Sequence, residues 1–229
     1  MVTALIVADG DVSAGTLSHP LLAAHADDLL IVAADGGAAR AELLGLRPDI
    51  VVGDLDSLSP ETVDRLRSDG VEVLQHRADK DESDTELALR EAISRGARQL
   101  IIVGGLGGPR VDHSLANVLL LSLPQPDGCE VVLVDGPASL RVMGLAGQDT
   151  LTLDGLPGDL VSLLPLSERV EGVRSEGLVY ALDDETLEQG PSRGLSNVMR
   201  AAQAIIRSRS GRLAVIHTPG QRAEVPHDD

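Results

Sequence analysis

The first 136 residues alternate short apolar runs with stretches of helical period. Thr3–Val7 is apolar and stops at Asp9–Gly10–Asp11; Leu29–Ala34 stops at Asp35–Gly36–Gly37. Ile50–Val52 stops at Gly53–Asp54–Leu55–Asp56–Ser57, and Val71–Leu74, Gln99–Val103 and Glu130–Val134 repeat the pattern. Apolar runs of this length, rich in β-branched residues and bounded by glycine and turn-formers, read as buried strands. Helical stretches separate them: around Leu21–Ala26, through Ala38–Leu43 to Gly45, and from Ser59–Pro60 to Gly70. Ser59 is placed as an N-cap with proline at the first helical position. Ser83 and Glu86 form a capping box for a helix reaching about Ser94, and a last helix carries Leu115, Val118 and Leu119. Strands alternating with helices predict a parallel sheet, covered on both faces, with right-handed crossovers.

After Gly136 the helical period stops. Short apolar runs recur between turn signals at Leu140–Met143, Leu151–Leu153, Leu160–Leu164, Val170–Val173 and Leu178–Ala181. Gln203–Arg209 and Arg212–Ile216 read as a hairpin around Ser210–Gly211. The expected fold is therefore α/β: a parallel-sheet domain over residues 1–136, then a small all-β sandwich or flattened barrel over 137–229. The charged tail from Pro219 is expected to be poorly ordered.

Composition changes this picture in three ways. With no Phe, no Trp and one Tyr, the interior must be built from Leu, Val, Ile and Ala, and Tyr180 is expected among the core residues. A formal charge of −17 argues against nucleic acid or an anionic membrane as partner, since either would be repelled. The single cysteine, Cys129, excludes an internal disulfide, suits a reducing cytoplasm and reads as a small buried apolar residue. Neither a basic-then-apolar leader nor an uncharged run of membrane-spanning length is visible, so a cytoplasmic protein is expected.

The candidate chemistry follows from topology. In a parallel sheet, positions just after the strands share one edge, and ligands bind there. Asp9, Asp35, Asp54, Asp56, Asp81, Asp84 and the loop Gly104–Gly108 with Asp112 all follow strands. Turns favour Asp and Gly in any case, so a solvated turn is the competing reading of each. Two carboxylates as close as Asp54 and Asp56 must share a proton or a cation, most simply Mg²⁺ carrying nucleotide phosphates. Asp84 falls in the first turn of its helix, where an anion is favoured for local reasons too. Lys80, the only lysine, lies within the acidic loop, placed to counter a phosphate or to hold carboxylates apart. The glycine loop lets backbone approach a ligand and Arg110 is suited to clamping phosphate oxygens. That loop fits neither the Walker pattern nor the dinucleotide fingerprint, which disfavours a P-loop kinase and a Rossmann dehydrogenase.

Taken together, the motifs resemble those of the thiamine pyrophosphokinase family. They are Ala34–Asp35–Gly36–Gly37; Leu46–Arg47–Pro48–Asp49 with Gly53–Asp54–Leu55–Asp56–Ser57; Lys80–Asp81 with Asp84, Thr85 and Glu86; and Gly107–Gly108 with Arg110, Asp112, His113, Ala116 and Asn117. In the second half they are Glu176–Gly177–Leu178 with Tyr180 and Leu182, Glu185–Thr186–Leu187, and Ser192–Arg193–Gly194–Leu195–Ser196–Asn197. Each is weak alone; their joint order is specific. The resemblance implies an ATP-binding catalytic domain followed by a thiamine-binding sandwich, in a homodimer whose active site lies at the subunit interface. It implies Mg²⁺-dependent transfer of pyrophosphate from ATP to thiamine, giving thiamine diphosphate and AMP. It makes Asp54, Asp56, Asp81 and Asp84 the managers of Mg²⁺ and the triphosphate, with Asp35, Gly36 and Gly37 nearby. Arg110, Asp112, Lys80 and Asn117 fall on the nucleotide side, and Ser192, Ser196 and Asn197 would receive thiamine.

The chain departs from the family pattern at Ala39, where Asn is common, and at Pro109, inserted before Arg110. It also lacks Trp and Phe for an aromatic platform under thiamine. The rival readings are a diphosphokinase acting on a pterin alcohol and a non-catalytic ATP- or thiamine-binding sensor.

Overall fold

A computed structural model describes residues 2–25, 28–124, 126, 128–145 and 147–220. Of the tail expected to be poorly ordered from Pro219, Pro219 and Gly220 are described, the Gly220 amide donating to Asp159 Oδ1 at 3.1 Å. Residues 221–229 lie outside the described ones, as does Ala26 at the end of the first expected helix. The chain divides into two compact units, one running to Gly136 and one from Pro137 onward, with the short segment 122–124 assigned to the second.

In the first unit the strands are β1 (Val2–Val7), β2 (Leu29–Ala34), β3 (Ile50–Gly53), β4 (Glu72–Gln75), β5 (Ala97–Val103) and β6 (Glu130–Asp135). They lie in the order β6-β5-β1-β2-β3-β4, and every neighbouring pair is parallel. The helices are α1 (Pro20–Ala23), after a 3₁₀ turn at Ala14–Ser18, then α2 (Gly37–Leu43), α3 (Pro60–Ser68), α4 (Asp84–Ser94) and α5 (Val111–Leu120). α1 is shorter than the apolar run around it suggested, because Pro20 starts it and only Leu22 is buried.

Alternation along the strands explains the double cover. Leu5, Val7, Ile101 and Val103 pack with Leu22, Ala41 and Leu44 in one cluster. Ala33, Val51, Ala38, Val63 and Leu66 form another beneath α2 and α3. α4 buries Thr85, Ala88, Leu89 and Ala92. Ser59 caps α3 by accepting from the Thr62 amide at 3.2 Å, as its sequence position required. At α4 only half of the expected capping box forms. Ser83 accepts from the Glu86 amide at 3.2 Å, while the Glu86 carboxylate turns to Arg90 at 2.6 Å.

The second unit is a sandwich. Its strands are β7 (Ala138–Met143), β8 (Thr150–Asp154), β9 (Leu160–Pro165), β10 (Arg169–Glu176), β11 (Glu185–Glu188), β12 (Asn197–Val198), β13 (Gln203–Arg207) and β14 (Leu213–Thr218). They pair antiparallel within two sets, β12-β9-β14-β7 and β11-β10-β13-β8. Inward side chains of both sets, among them Leu163, Val173, Met143, Ile206 and Val215, share one core.

Three expectations fail here. β13 and β14 do not make a hairpin: β13 pairs with β8 and β10, whereas β14 pairs with β7 and β9. The Ser208–Arg212 segment instead carries the chain from one sheet to the other, with the Gly211 carbonyl set against Gly144, which has no room for a Cβ. Leu178–Ala181 is not a strand, since Leu178 contributes one isolated bridge to Met199. Tyr180 is not a core residue; it is 56% exposed. Cys129 is buried as expected, and no helix among the described residues is long and apolar enough to cross a membrane.

Gly37 is where α2 meets the sheet. A Cβ there would collide with the Val7 carbonyl at the end of β1. Gly37→Ala is therefore expected to lower stability by about 1–3 kcal/mol through overpacking. A urea titration should register a lower midpoint at unchanged slope.

Candidate active site

β1 is the strand from which the chain order runs in two directions: β2, β3 and β4 follow on one side, and β5 and β6 on the other. Connections leaving such a switch point diverge, and they open a crevice beyond the strand ends. Here the Asp9–Gly10 turn after β1 faces the Gly104–Gly108 loop after β5. The Gly10 amide donates to the Gly104 carbonyl at 2.7 Å, and the Asp11 amide to the Leu106 carbonyl at 2.9 Å. Gly10 has no space for a side chain between the carbonyls of Gly104 and Leu106. The Asn117 amide on α5, buried, donates to the Gly105 carbonyl at 2.9 Å and pins the loop from below.

The crevice is a cleft of about 620 Å³. The glycine loops form one wall and Asp54, Asp56, Ser57 and the segment Asp81–Thr85 the other, with Asp35 and Gly36 between and Arg110, His113 and Ser114 at α5.

Three carboxylates gather in it. Asp35, Asp54 and Asp84 each offer an oxygen, all within 4.8 Å of one another. Backbone geometry brings them there. Asp35, directly after β2, has φ 44°, and Leu55, between Asp54 and Asp56, has φ 66°. The left-handed region is tolerated by aspartate but unfavourable for a bulky leucine, so Leu55 is held by its burial beneath α3. Gly53 lets the layers close: a Cβ on it would sit 2.8 Å from the Asp35 Cβ and 3.1 Å from Asp84 Oδ1. Asp84 is the first residue of α4, aimed inward from the capped turn.

The electrostatics differ from one carboxylate to the next. Asp35 is 5% exposed; its Oδ2 accepts from the Ser57 amide at 3.3 Å, and its Oδ1 is buried with no hydrogen-bond partner. Burial pushes the Asp35 carboxyl up, and the charges of Asp84 and Asp56 add to this against the Ser57 hydrogen bond. Burial works in the same direction on Asp54 but is outweighed by the Asp56 amide at 3.3 Å and the Lys80 ammonium at 3.3 Å, which hold it below the usual range. Lys80 also reaches Asp84 Oδ1 at 3.0 Å, a contact that leaves that oxygen outside hydrogen-bond alignment. Burial lowers the Lys80 ammonium's affinity for its proton, but the two carboxylates overcome this and raise it. A buried, unpartnered oxygen beside two further carboxylates is a hard-oxygen donor set suited to a divalent cation such as Mg²⁺ or Ca²⁺.

The other expected residues are distributed as follows. Asp56 and Asp81 line the cleft without joining the three-carboxylate group. Arg110 lines it too, and makes a two-pronged pair with Asp112 at 2.9 and 2.6 Å; that pair brings Asp112 down to about 2. Gly37, Lys80 and Asp112 are not among the residues that line it. In the second unit, Asn197 is 5% exposed and spends its side chain on the fold. It accepts from the Tyr180 amide at 3.0 Å and donates to the Tyr180 carbonyl at 2.7 Å. Ser196 has φ 56° and its amide donates to Ser162 Oγ at 3.1 Å; Ser192 is exposed on the same loop.

Sequence reasoning did not single out Gly10, Ser57, His113 and Ser114 as site residues. The signal for Gly10 was its place after the first strand. Ser57 and His113 lay within the motifs that carry the resemblance but were given no role, and Ser114 had no signal beyond adjacency to them.

A parallel α/β unit with a glycine-walled, carboxylate-bearing cleft at its switch point, joined to an antiparallel sandwich, has the parts that a phosphate-transferring enzyme needs. Residues 22–133 match the catalytic domain of thiamin pyrophosphokinase and residues 150–213 its vitamin B1 binding domain. The chain belongs to the thiamin pyrophosphokinase family. Thiamine pyrophosphokinase 1 of Oryza sativa subsp. japonica is 26% identical over 204 residues, covering 79% of this chain and 76% of the rice protein. The crystal structure of thiamine pyrophosphokinase from Bacillus subtilis superposes with a TM-score of 0.78 at 24% identity, over 95% of this chain and 99% of that one. A thiamin pyrophosphokinase family protein from Enterococcus faecalis gives 0.76 at 26% identity, over 95% and 99%.

The raised Asp35 sets a pH signature. Between pH 3.8 and its folded value, the unfolded chain has released the Asp35 proton and the native protein has kept it, so native stability falls as pH rises through that window. Asp35→Asn removes the ionisation and tolerates the left-handed backbone. The variant's melting temperature should exceed that of the wild type by a margin that grows with pH from about 4 and then levels off. A margin independent of pH would contradict the assignment.

Proposed function

We propose that this protein transfers the pyrophosphoryl group of ATP to the hydroxyethyl oxygen of thiamine, giving thiamine diphosphate and AMP. The observation that carries this reading is the coincidence of the family's catalytic domain with a three-carboxylate cluster facing a glycine-walled cleft. The first unit is the ATP-binding part and the second the thiamine-binding part, in keeping with the vitamin B1 binding match.

Each residue's contribution follows from its chemistry. Gly10 lets the β1 turn close on the Gly104–Gly108 loop, and the glycines of that loop let backbone approach phosphate oxygens without steric obstruction. Asp54 and Asp84 with Asp35 would hold a divalent cation, taken as Mg²⁺, and Asp56 and Asp81 extend the same acidic wall. When bound, that ion neutralises polyphosphate charge and orients the group in transfer. Arg110, held in plane by Asp112, presents a guanidinium at the rim for phosphate oxygens. Ser57 keeps Asp35 oriented, and Asn117 keeps the glycine loop in place. The acidic field of a chain with net charge −17 favours the cationic thiazolium of the acceptor. On the second unit, Ser192 and Ser196 offer polar groups for the acceptor, and Asn197 positions the exposed Tyr180 as an available ring.

The working form is a homodimer. Val111, Leu115 and Leu119, four residues apart on α5, leave an apolar stripe exposed at 70%, 62% and 56%. The stripe begins next to Arg110 at the cleft, and a second copy of this chain covering it would also shield the site from water. The buried thiol of Cys129 and the dependence on ATP suit the cytoplasm.

Two outcomes check this reading. In a phosphorus NMR time course with ATP, Mg²⁺ and thiamine, thiamine diphosphate and AMP should appear together, and Asp54→Asn should slow them by about a hundredfold or more. Formation of ADP with thiamine monophosphate, or no thiamine-dependent turnover, would defeat it. Light scattering should give a dimer that Leu115→Glu converts to monomer; an unchanged mass for that variant would remove the α5 stripe from the interface.

A further inference from the structure

Lys80 is the one lysine in a chain whose other strong cations are all arginines. It stands in the loop between β4 and α4, four residues before Asp84, with its side chain 13% exposed. Its ammonium lies 3.3 Å from Asp54 Oδ2 and 3.0 Å from Asp84 Oδ1. Those are two of the three carboxylates that converge within 4.8 Å, while the third, Asp35, holds a buried oxygen without a partner. An ammonium is a compact point charge on a flexible stem and can sit between two converging carboxylates, where a planar guanidinium fork would need both turned towards it. Asp54 and Asp84 line the cleft, whereas Lys80 is largely covered and is not among its lining residues.

We propose that Lys80 is a built-in counter-cation that competes with the divalent ion for Asp54 and Asp84, so that binding of the ion releases the ammonium. The inference rests on the metal-site reading given above. A divalent ion drawing on both carboxylates takes away the charge that holds Lys80 and places a like charge within a few ångströms of it. The ammonium retreats on its own stem. The residues that follow it, Asp81 and Glu82, line the cleft, so a short reorientation brings the freed charge towards a polyphosphate. Lys80 thereby links the two ligands. The ion without nucleotide must displace an ion pair and binds weakly, whereas polyphosphate gives the displaced ammonium a new partner and makes binding of the ion easier. By reciprocity the ion strengthens nucleotide binding to the same degree.

The test uses the uniqueness of this lysine. Protein grown on [ε-¹³C]lysine carries one side-chain resonance, to be followed during Mg²⁺ titration without nucleotide, with Mg²⁺ binding measured in parallel by equilibrium dialysis. The resonance should move along the dialysis isotherm. Lys80→Met should bind Mg²⁺ roughly tenfold more tightly and should lose the mutual enhancement between Mg²⁺ and a non-hydrolysable ATP analogue. Lys80→Arg, which keeps the charge, should not gain affinity, and the labelled wild type decides the matter if Lys80→Met does not fold. Mg²⁺ binding with a stationary lysine resonance, or affinity unchanged or weakened in Lys80→Met, overturns the inference and leaves the metal site standing. Absence of Mg²⁺ binding in the dialysis of both the wild type and Lys80→Met, with and without the ATP analogue, overturns both.

Discussion

Mutual repulsion of like charges is the constraint on which this structure turns. Three carboxylates within 4.8 Å of one another would separate if their backbones were free. They are held by devices that have no other evident purpose. A glycine at the end of β3 removes the one Cβ that would keep Asp35 and Asp84 apart. Two non-glycine residues, Asp35 and Leu55, accept left-handed backbone on either side of the cluster. The strain at Leu55 is offset by burying its side chain under α3, which makes the hydrophobic core of the first unit a working part of the site. Local strain of this kind persists only where surrounding structure over-determines it.

The same economy governs the opposite wall. A loop rich in glycine would ordinarily sample many conformations, yet here it is tied to the β1 turn by paired backbone hydrogen bonds and to α5 by a buried asparagine. Its amides are thus presented with little ordering left to do. Arg110 and Asp112 show the same preorganisation at the rim, the carboxylate fixing the plane of the guanidinium. In the second unit, Asn197 closes a loop on Tyr180 through both ends of its amide, so a residue expected to bind ligand does its observable work inside the protein.

Much of this was legible in the chain itself. The six apolar runs of the first unit, their glycine-aspartate stops and the caps at Ser59 and Ser83 come from local physics: β-branched residues filling a buried sheet, proline and serine starting helices. Asp35, Asp54, Asp56, Asp81 and Asp84 could be assigned to one edge because parallel strands put their ends together. The sandwich was harder to read. Its short strands alternate weakly, and a run such as Leu178–Ala181 looks the same whether it pairs or merely packs. The step from β13 to β14 resembles a hairpin in sequence, but each strand has its partners elsewhere.

The sequence by itself determined the elements, the sharing of one edge by the acidic turns, and a joint order of motifs that resembles one family. Tertiary structure alone decided which carboxylates meet. Spacing along the chain singled out Asp54 and Asp56 as a pair, whereas folding brings Asp54 together with Asp35 from β2 and Asp84 from α4 and turns Asp56 aside along the wall. It also decided that Lys80 faces these carboxylates rather than solvent, and that Tyr180 is exposed rather than buried. The reason is physical. Periodicity and capping are properties of a few neighbouring residues, but distances between strand ends depend on sheet order, twist and the fit of side chains from remote segments. Sequence patterns carry no measure of these.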